Sequence, residues 1–486
     1  MGTRRKSDRQ QEFWIPTSEI VQTPGSVFYT RLNEVLDKHK FDKRMESRMA
    51  RFFAKQMGRP SVAPGVFVRM FLIGYFEGLD SERGIAWRVA DSLSLRAFLG
   101  YALTEKTPDH STLSRTRRLV GIEMYKAVFQ WVIGILTKEG LIKGQSIAID
   151  ATMLEANASM KHIERRDNGQ SYDEYLRVLA KAAGMENPTK AELARMDRKR
   201  KKKVSNEDWK SPVDGDARVA RMKDGSTHLA HKVEHAVDLI SGALVAITLQ
   251  AADQGDTTTI RQTLKEAQTA ARKIHEEGVE EVVADKGYHS GAVLRELHRQ
   301  QVRSYIPEPD RGPRKWAGDG KAIEQKRVYD NRRRTRGDRS KRLQKLRSEL
   351  VERSFAHLYE TGGMRRVYLR GRENILKRLM IQGAAFNLSV LLRKVLGFGK
   401  PRQFQGNARG LGALIARLAS IFALRTGILA TLANRTAHSR LHLAVSPILA
   451  ATAGTTRSVS ILADQSRWNQ EKHFCHGLLT RILNLD

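Results

Sequence analysis

Three short stretches carry carboxylates in settings where a carboxylate can do chemistry. Ile147-Ala-Ile-Asp-Ala-Thr puts Asp150 at the end of a short β-prone run, and Val283-Ala-Asp-Lys-Gly-Tyr puts Asp285 at the end of another. Leu350-Val-Glu-Arg-Ser-Phe-Ala-His carries Glu352 on a helical stretch. Two aspartates at the ends of neighbouring strands, with a third carboxylate from a helix across them, make a hard oxygen site suited to Mg²⁺ or Mn²⁺. With two ions about 3.5–4 Å apart, such a site supports in-line phosphoryl displacement without a covalent enzyme intermediate. The three signals are unequal. An Asp at a strand end is common, whereas Asp285 is followed by a cation, a flexible joint and an aromatic ring, and Glu352 has a rival one helical turn away in Glu349.

Other chemistries fit poorly. His228 and His231 face opposite sides of a strand, and His231 and His235 stand roughly 13 Å apart along it, so they make no zinc set. No G-x-x-x-x-G-K-[ST] pattern marks a nucleotide loop, and nothing marks a nucleophile elbow. A single cysteine, Cys475, excludes a disulfide framework, a four-cysteine zinc site and a CxxC redox pair, which points to a reducing, cytoplasmic setting. The longest apolar tract, 411–433, is interrupted by Arg417 and Arg425, so no membrane span is expected.

Charge supplies the partner. The 486 residues hold 85 Lys and Arg against 53 Asp and Glu, a formal net charge of +32 spread over most of the length, which calls for a polyanion and above all nucleic acid. DNA-associated residence in the cytoplasm, at the nucleoid, follows.

The carboxylates need elements to position them. Residues 28–143 have apolar positions at helical spacing punctuated by Pro60, Pro64 and Pro108, and read as an all-α domain with Ser61, Ser81 and Asp109 as polar helix starts. One reading of this series is a helix-turn-helix, which puts Arg115, Arg117 and Arg118 near phosphate or base edges. Beyond it, strands at 146–152, 228–238 and 242–250 form an antiparallel meander. A helix over 256–277 capped by Asp256, a strand at 279–285, a helix at 290–301, a strand at 302–307, a polar insertion and a helix at 341–358 follow. The order β-β-β-α-β-α-β-insertion-α is that of an α/β ribonuclease-H-like core with a mixed sheet. A right-handed crossover through the 256–277 helix places the fourth strand beside the first and brings Asp150 and Asp285 together. Two stretches, 160–212 and 308–339, are basic insertions. The expected division is a basic segment 1–27, the helical domain 28–143, the core 144–396 and a variable extension 397–486.

The three quoted blocks together resemble the catalytic blocks of bacterial insertion-sequence transposases of the DDE type, and residues 59–114 resemble the helical domain preceding that core. The likeness runs from about residue 28 to 396. It implies that Asp150, Asp285 and Glu352 are the catalytic, metal-binding triad, with two Mg²⁺ ions for which Mn²⁺ substitutes, and that Glu349 is a bystander. It further implies double-stranded DNA as partner, both the terminal inverted repeats of an element and the target, handled by a homo-oligomer without a membrane. In related chains the glutamate helix often carries Arg four residues before the Glu and Lys seven after it. Here those positions are Ser348 and Tyr359, while Arg347 and Arg353 flank the site. With Lys286 and Tyr288, and with Arg365, Arg366 and Arg370 in the next basic segment (which continues through Arg372, Lys377 and Arg378), these are the candidate DNA contacts. Two alternatives share the residues: a nuclease on the same fold that does not join strands, and a non-catalytic DNA-binding remnant or repressor.

Overall fold

The computed structural model describes residues 26–52, 62–200, 204–310, 312, 314, 316–318 and 320–401. The expected basic segment 1–27, apart from its last two residues, and nearly all of the extension 397–486 lie outside these, as do Ser61 and the apolar tract at 411–433.

Among the described residues, seven α-helices come first: α1 (Val27–Lys38), α2 (Phe41–Met49), α3 (Pro64–Glu77), α4 (Glu82–Ala90), α5 (Leu93–Leu99), α6 (His110–Leu119) and α7 (Ile122–Lys138). Ser81 and Asp109 act as read: their side chains accept from Gly84 N at 3.1 Å and Thr112 N at 2.7 Å, satisfying amides that the first turn of a helix leaves unpaired. α3 has proline in its first turn, where the missing N–H costs nothing, and its residues are apolar on nearly every side, so it is a core helix.

The sheet begins at β1 (Ser146–Glu155). A sub-structure then intervenes: β2 (Glu164–Arg165), α8 (Tyr172–Ala182), α9 (Lys190–Lys199), β3 (Trp209–Lys210) and β4 (Arg218–Arg221). This first basic insertion is built rather than merely solvated, since Ser171 with Glu174 and Thr189 with Glu192 form reciprocal capping boxes on α8 and α9. Its own small core gathers Trp209 against the rings of Tyr172 and Tyr175, 5.0 and 5.3 Å away. Next come β5 (Thr227–Asp238), β6 (Leu244–Ala251), α10 (Asp256–Ala271), β7 (Glu281–Val283), α11 (Gly291–Arg299), β8 (Arg303–Tyr305), α12 (Lys321–Arg336), α13 (Asp338–Ala356) and α14 (Arg372–Leu396).

β5 pairs antiparallel with β1, and with β6 and β4 on its other edge; β7 lies parallel to β1 on that strand's far side, and β8 parallel to β7. The expected meander and the placing of the fourth core strand beside the first are therefore found. Three details differ. β1 continues to Glu155, so Asp150 sits within the strand rather than at its end. Asp256 is the first residue of α10 rather than its cap, and that helix stops at Ala271. The second basic insertion contains α12, whose buried side chains are only Val328 and Asn331, so no apolar stripe announces it. Asn331 is satisfied in the interior: it donates to Ile306 O at 2.7 Å and accepts from Ile306 N, closing the backbone just past β8.

One hydrophobic cluster runs from Phe28 to Leu392 through both the helical region and the sheet. α14 binds them together. Asn387 exchanges two 2.8 Å hydrogen bonds with the backbone of Leu244 and so covers part of the β6 edge. α14 is long and apolar enough to cross a membrane, but 83% of its apolar window is buried inside the protein, as for a core helix.

Candidate active site

β1 enters the core through Ile147, Ala148 and Ile149, all fully buried, and emerges at Asp150. Its parallel pairing with β7 ends at Ala148 opposite Val283, so two residues further along each chain Asp150, still paired with β5, and Asp285, past the end of β7, stand side by side. Strands so paired lie about 4.8 Å apart. Asp285 turns the chain, its carboxylate accepting from Gly287 N at 2.8 Å as it caps the 3₁₀ turn Lys286–Tyr288.

α13 crosses this end of the sheet. Gln344 donates to Ala284 O at 3.2 Å and Tyr305 O at 2.8 Å, fixing the helix to the carbonyl ends of β7 and β8. Its Oε1 accepts from Arg347 at 3.0 Å, and Arg347 in turn donates to Asp150 at 2.7 Å. Two turns on, Ser354 meets His235 at 2.8 Å, the residue directly opposite Asp150 on β5, while Phe355 stacks on that ring at 4.3 Å. Asp150 is thus held from three sides. Burial pushes its carboxyl above the usual carboxylate range and Asp285 pushes the same way, while the Ala151 N–H and Arg347 pull it back.

Glu352 stands on the same helix. Five residues after Arg347 it lies about 140° further around the helix, on the exposed face of α13. Glu349, the rival, is exposed as well and pairs with Arg353. A carboxylate the sequence offered only as a helix cap, Asp256, lies near Asp285. A Cβ on Gly287 would stand 2.6 Å from Asp256 Oδ2 and 3.0 Å from Asp285 Oδ1, so both carboxylate ends lie against this glycine. The signal was the glycine of Asp-Lys-Gly-Tyr. Beneath Asp256 lies a buried polar network. Lys232 pairs with Asp256 and donates to Thr259 Oγ1 and Gln254 O at 3.1 Å each. Glu234 accepts from Thr259, Thr263 and, at 3.1 Å, the Tyr288 hydroxyl.

Among the described residues no three His, Cys, Asp or Glu side chains already form a metal-binding group. The donor set nevertheless fits Mg²⁺, which is commonly held by one or two carboxylates with waters and substrate phosphates completing the shell. Asp150 and Asp285 are the carboxylates that could supply them.

The candidate DNA contacts divide sharply. Arg117 is buried, ion-paired with Glu82 and bonded to Asn374 at 2.7 Å, joining α4, α6 and α14; it is removed from the DNA-facing set. Tyr288 is fully buried with its hydroxyl on Glu234, and burial lifts that hydroxyl well above its usual pKa, so it too is removed. Lys377 donates to Arg117 O at 3.3 Å and Arg378 to Leu79 O at 2.9 Å, so both serve the interior. Arg115, Arg118, Lys286, Arg353, Arg365, Arg366 and Arg370 are exposed. Of these, Arg365 pairs with Glu360 and Arg366 reaches Glu155 at 3.7 Å. Tyr359, where relatives often have Lys, donates to Met153 O at 2.8 Å and meets Thr152 at 2.6 Å, packing the helix end on β1. His231 is buried against Asp214 at 3.0 Å, away from His235 and Ser354.

Residues 17–119 match the family described as a transposase domain (DUF772), and residues 188–388 match the family described as a transposase DDE domain. The second match includes Asp256, Asp285 and Glu352 and begins after Asp150. No curated protein matches. A solved structure titled "Crystal structure of the Mos1 mariner paired end complex with Mn" is similar over 69% of this chain and 93% of that chain, at 9% identity. Its TM-score of 0.18 is too low to bear on the fold.

Proposed function

The chain belongs to the DDE transposases, and from that premise we propose that Asp150 and Asp285 are the metal-holding centre of its DNA cleavage and strand-transfer reactions. The observation that carries this is the register: two aspartates on adjacent parallel strands, two residues past their last pair, emerging under one helix. The strand order β6, β5, β1, β7, β8, with a meander followed by two parallel strands, supports a ribonuclease-H-like core. In roles, 28–143 would recognise element ends and 144–396 would carry the chemistry.

A divalent ion, Mg²⁺ or Mn²⁺, supplies neutralisation of the attacking and leaving oxygens when bound, and two such ions do so for both at once. The chain supplies the rest. Asp150 and Asp285 present their carboxylates side by side. Arg347 fixes the orientation of Asp150, and Gln344 fixes Arg347. Lys286, exposed beside Asp285, offers a cation to a scissile or flanking phosphate. Hydrolysis at an element end leaves a 3′-OH, which then attacks a target phosphodiester; in each step one P–O bond forms as another breaks. The resemblance assigns Glu352 as third carboxylate and the geometry favours Asp256, so Glu352→Gln and Asp256→Asn separate the two. A dimer or larger assembly on DNA follows from the need to process two ends together.

The test is Mg²⁺-dependent reaction of labelled duplex carrying the terminal repeats that flank the coding region. Cleavage followed by joining to a target supports the reading. Cleavage without joining replaces it with a nuclease, and binding alone replaces it with a DNA-binding remnant.

A further inference from the structure

The helical region contains a cationic groove that no catalytic argument uses. It runs between α2 and α7, has a volume of about 970 Å³, and carries Lys40, Lys43, Arg44, Arg48, Lys138 and Lys273 along its walls. A second hollow of about 380 Å³, with Glu123 on its wall, continues it past Arg48, Ala127 and Gln130 to Arg51 and Lys126. The spacing is a consequence of helix geometry. Phe41, Met45 and Met49 turn α2 inward, which leaves positions 40, 43, 44 and 48 as a single outward stripe three and four residues apart.

These six cations are unneutralised, whereas Lys38 on the same wall pairs with Glu139 at 2.7 Å. Lys40, Lys43, Arg44, Arg48 and Lys138 make no ion pair among the described residues, and Lys273 is bonded only to the neutral amide of Gln130, at 2.8 Å. All six are exposed. Like charges gathered in a concavity repel one another and raise the local potential, an arrangement that a polyanion relieves.

Two further observations point the same way. Gly134 sits in the middle of α7, where glycine costs about 1 kcal/mol relative to alanine. Packing does not demand it, since a Cβ there would meet nothing within 4 Å. Its effect is to leave the groove floor open. Lys40 adopts φ 53° and ψ 46°, the left-handed region that lysine rarely enters, at the rim where α2 begins. The walls offer no exposed apolar centre of the kind a protein interface needs, because Trp131 and Ile135 are buried.

We propose that the α2–α7 groove is a docking channel for the sugar-phosphate backbone of duplex DNA, separate from the α6 arginines and from the aspartate end of the sheet. It rests on the transposase reading and adds where the helical region holds its substrate. α7 has 17 residues and is about 25 Å long.

The experiment measures affinity of the full chain for an element-end duplex by fluorescence anisotropy between 50 and 200 mM salt. The triple variant Lys43→Gln, Arg44→Gln, Arg48→Gln should lower the log–log salt slope by about 2.7, at roughly 0.9 for each phosphate no longer neutralised. Gly134→Ala should bind like wild type, while Gly134→Glu, which places a carboxylate on the floor, should weaken binding at least tenfold with an unchanged melting temperature. If wild type binds and the triple variant keeps its slope, or Gly134→Glu its affinity, the groove is not the channel. If wild type itself binds no DNA, the transposase reading falls with it.

Discussion

Two regions handle positive charge in opposite ways. At the sheet end, the cations packed against the carboxylates are paired, Lys232 between Asp256 and Glu234 and Arg347 on Asp150, while Lys286 is exposed. In the α2–α7 groove Lys40, Lys43, Arg44, Arg48, Lys138 and Lys273 face solvent without an ion pair among the described residues. The first arrangement depends on burial, and removing one partner strands the other; the second contributes nothing to the fold and is available to a ligand. The +32 charge is therefore two populations, one architectural and one presented, and only the second should respond to DNA and salt.

The largest break in that contrast should come from Lys232→Met, which leaves Glu234 and Asp256 without their cation. Removing one member of a buried pair costs ~3–5 kcal/mol, to be read from denaturant unfolding, whereas Lys43→Ala in the groove should stay within about 0.5 kcal/mol of wild type. Equal effects would erase the distinction. Arg117→Gln comes next: as a buried bridge it should destabilise by ~2–3 kcal/mol and leave the salt slope of DNA binding unchanged, while Arg115→Gln with Arg118→Gln should do the reverse.

Arg347→Gln sharpens the catalytic half. Asp150 must be ionised to hold a metal, so the rate rises with pH through its pKa, which burial already lifts above the usual range and Arg347 restrains. Without Arg347 the acid limb of the pH–rate profile should move to higher pH. An unmoved limb would mean that Arg347 does not govern Asp150. The smallest effect concerns two histidines. Burial holds His235 down at about 3 and the half-buried His357 at about 4. A depressed histidine stabilises the fold above its unfolded pKa, near 6.5, and that stability is lost as pH falls towards the folded value, by about 1.4 kcal/mol per pH unit for His235 and less for His357. Unfolding free energies at pH 7 and 5.5 should show the loss, and His235→Phe should remove at least half of it.

How much was legible follows from where the information sits. The neighbouring positions of Asp150 and Asp285 were readable because each follows a short apolar run, Ile147-Ala-Ile and Val282-Val-Ala, and chain order alone placed those runs side by side. Asp256 was not, because its role depends on Gly287 folding back towards it from a separate turn. Arg117 and Tyr288 looked available for DNA because their buried partners, Glu82 and Glu234, are 35 and 54 residues away in sequence. α12 was missed because a helix held mainly by Val328 and Asn331 has no apolar periodicity to read.

The most direct measurement is the single-turnover cleavage rate of an element-end duplex in Mg²⁺, at saturating protein, for wild type, Asp150→Ala and Asp285→Ala with DNA binding matched. A joint metal-holding pair predicts that each variant binds as wild type does and cleaves at least about 10³-fold more slowly, on the order of 4 kcal/mol of lost transition-state stabilisation. Cleavage by either variant within tenfold of wild type would contradict the pairing of Asp150 with Asp285.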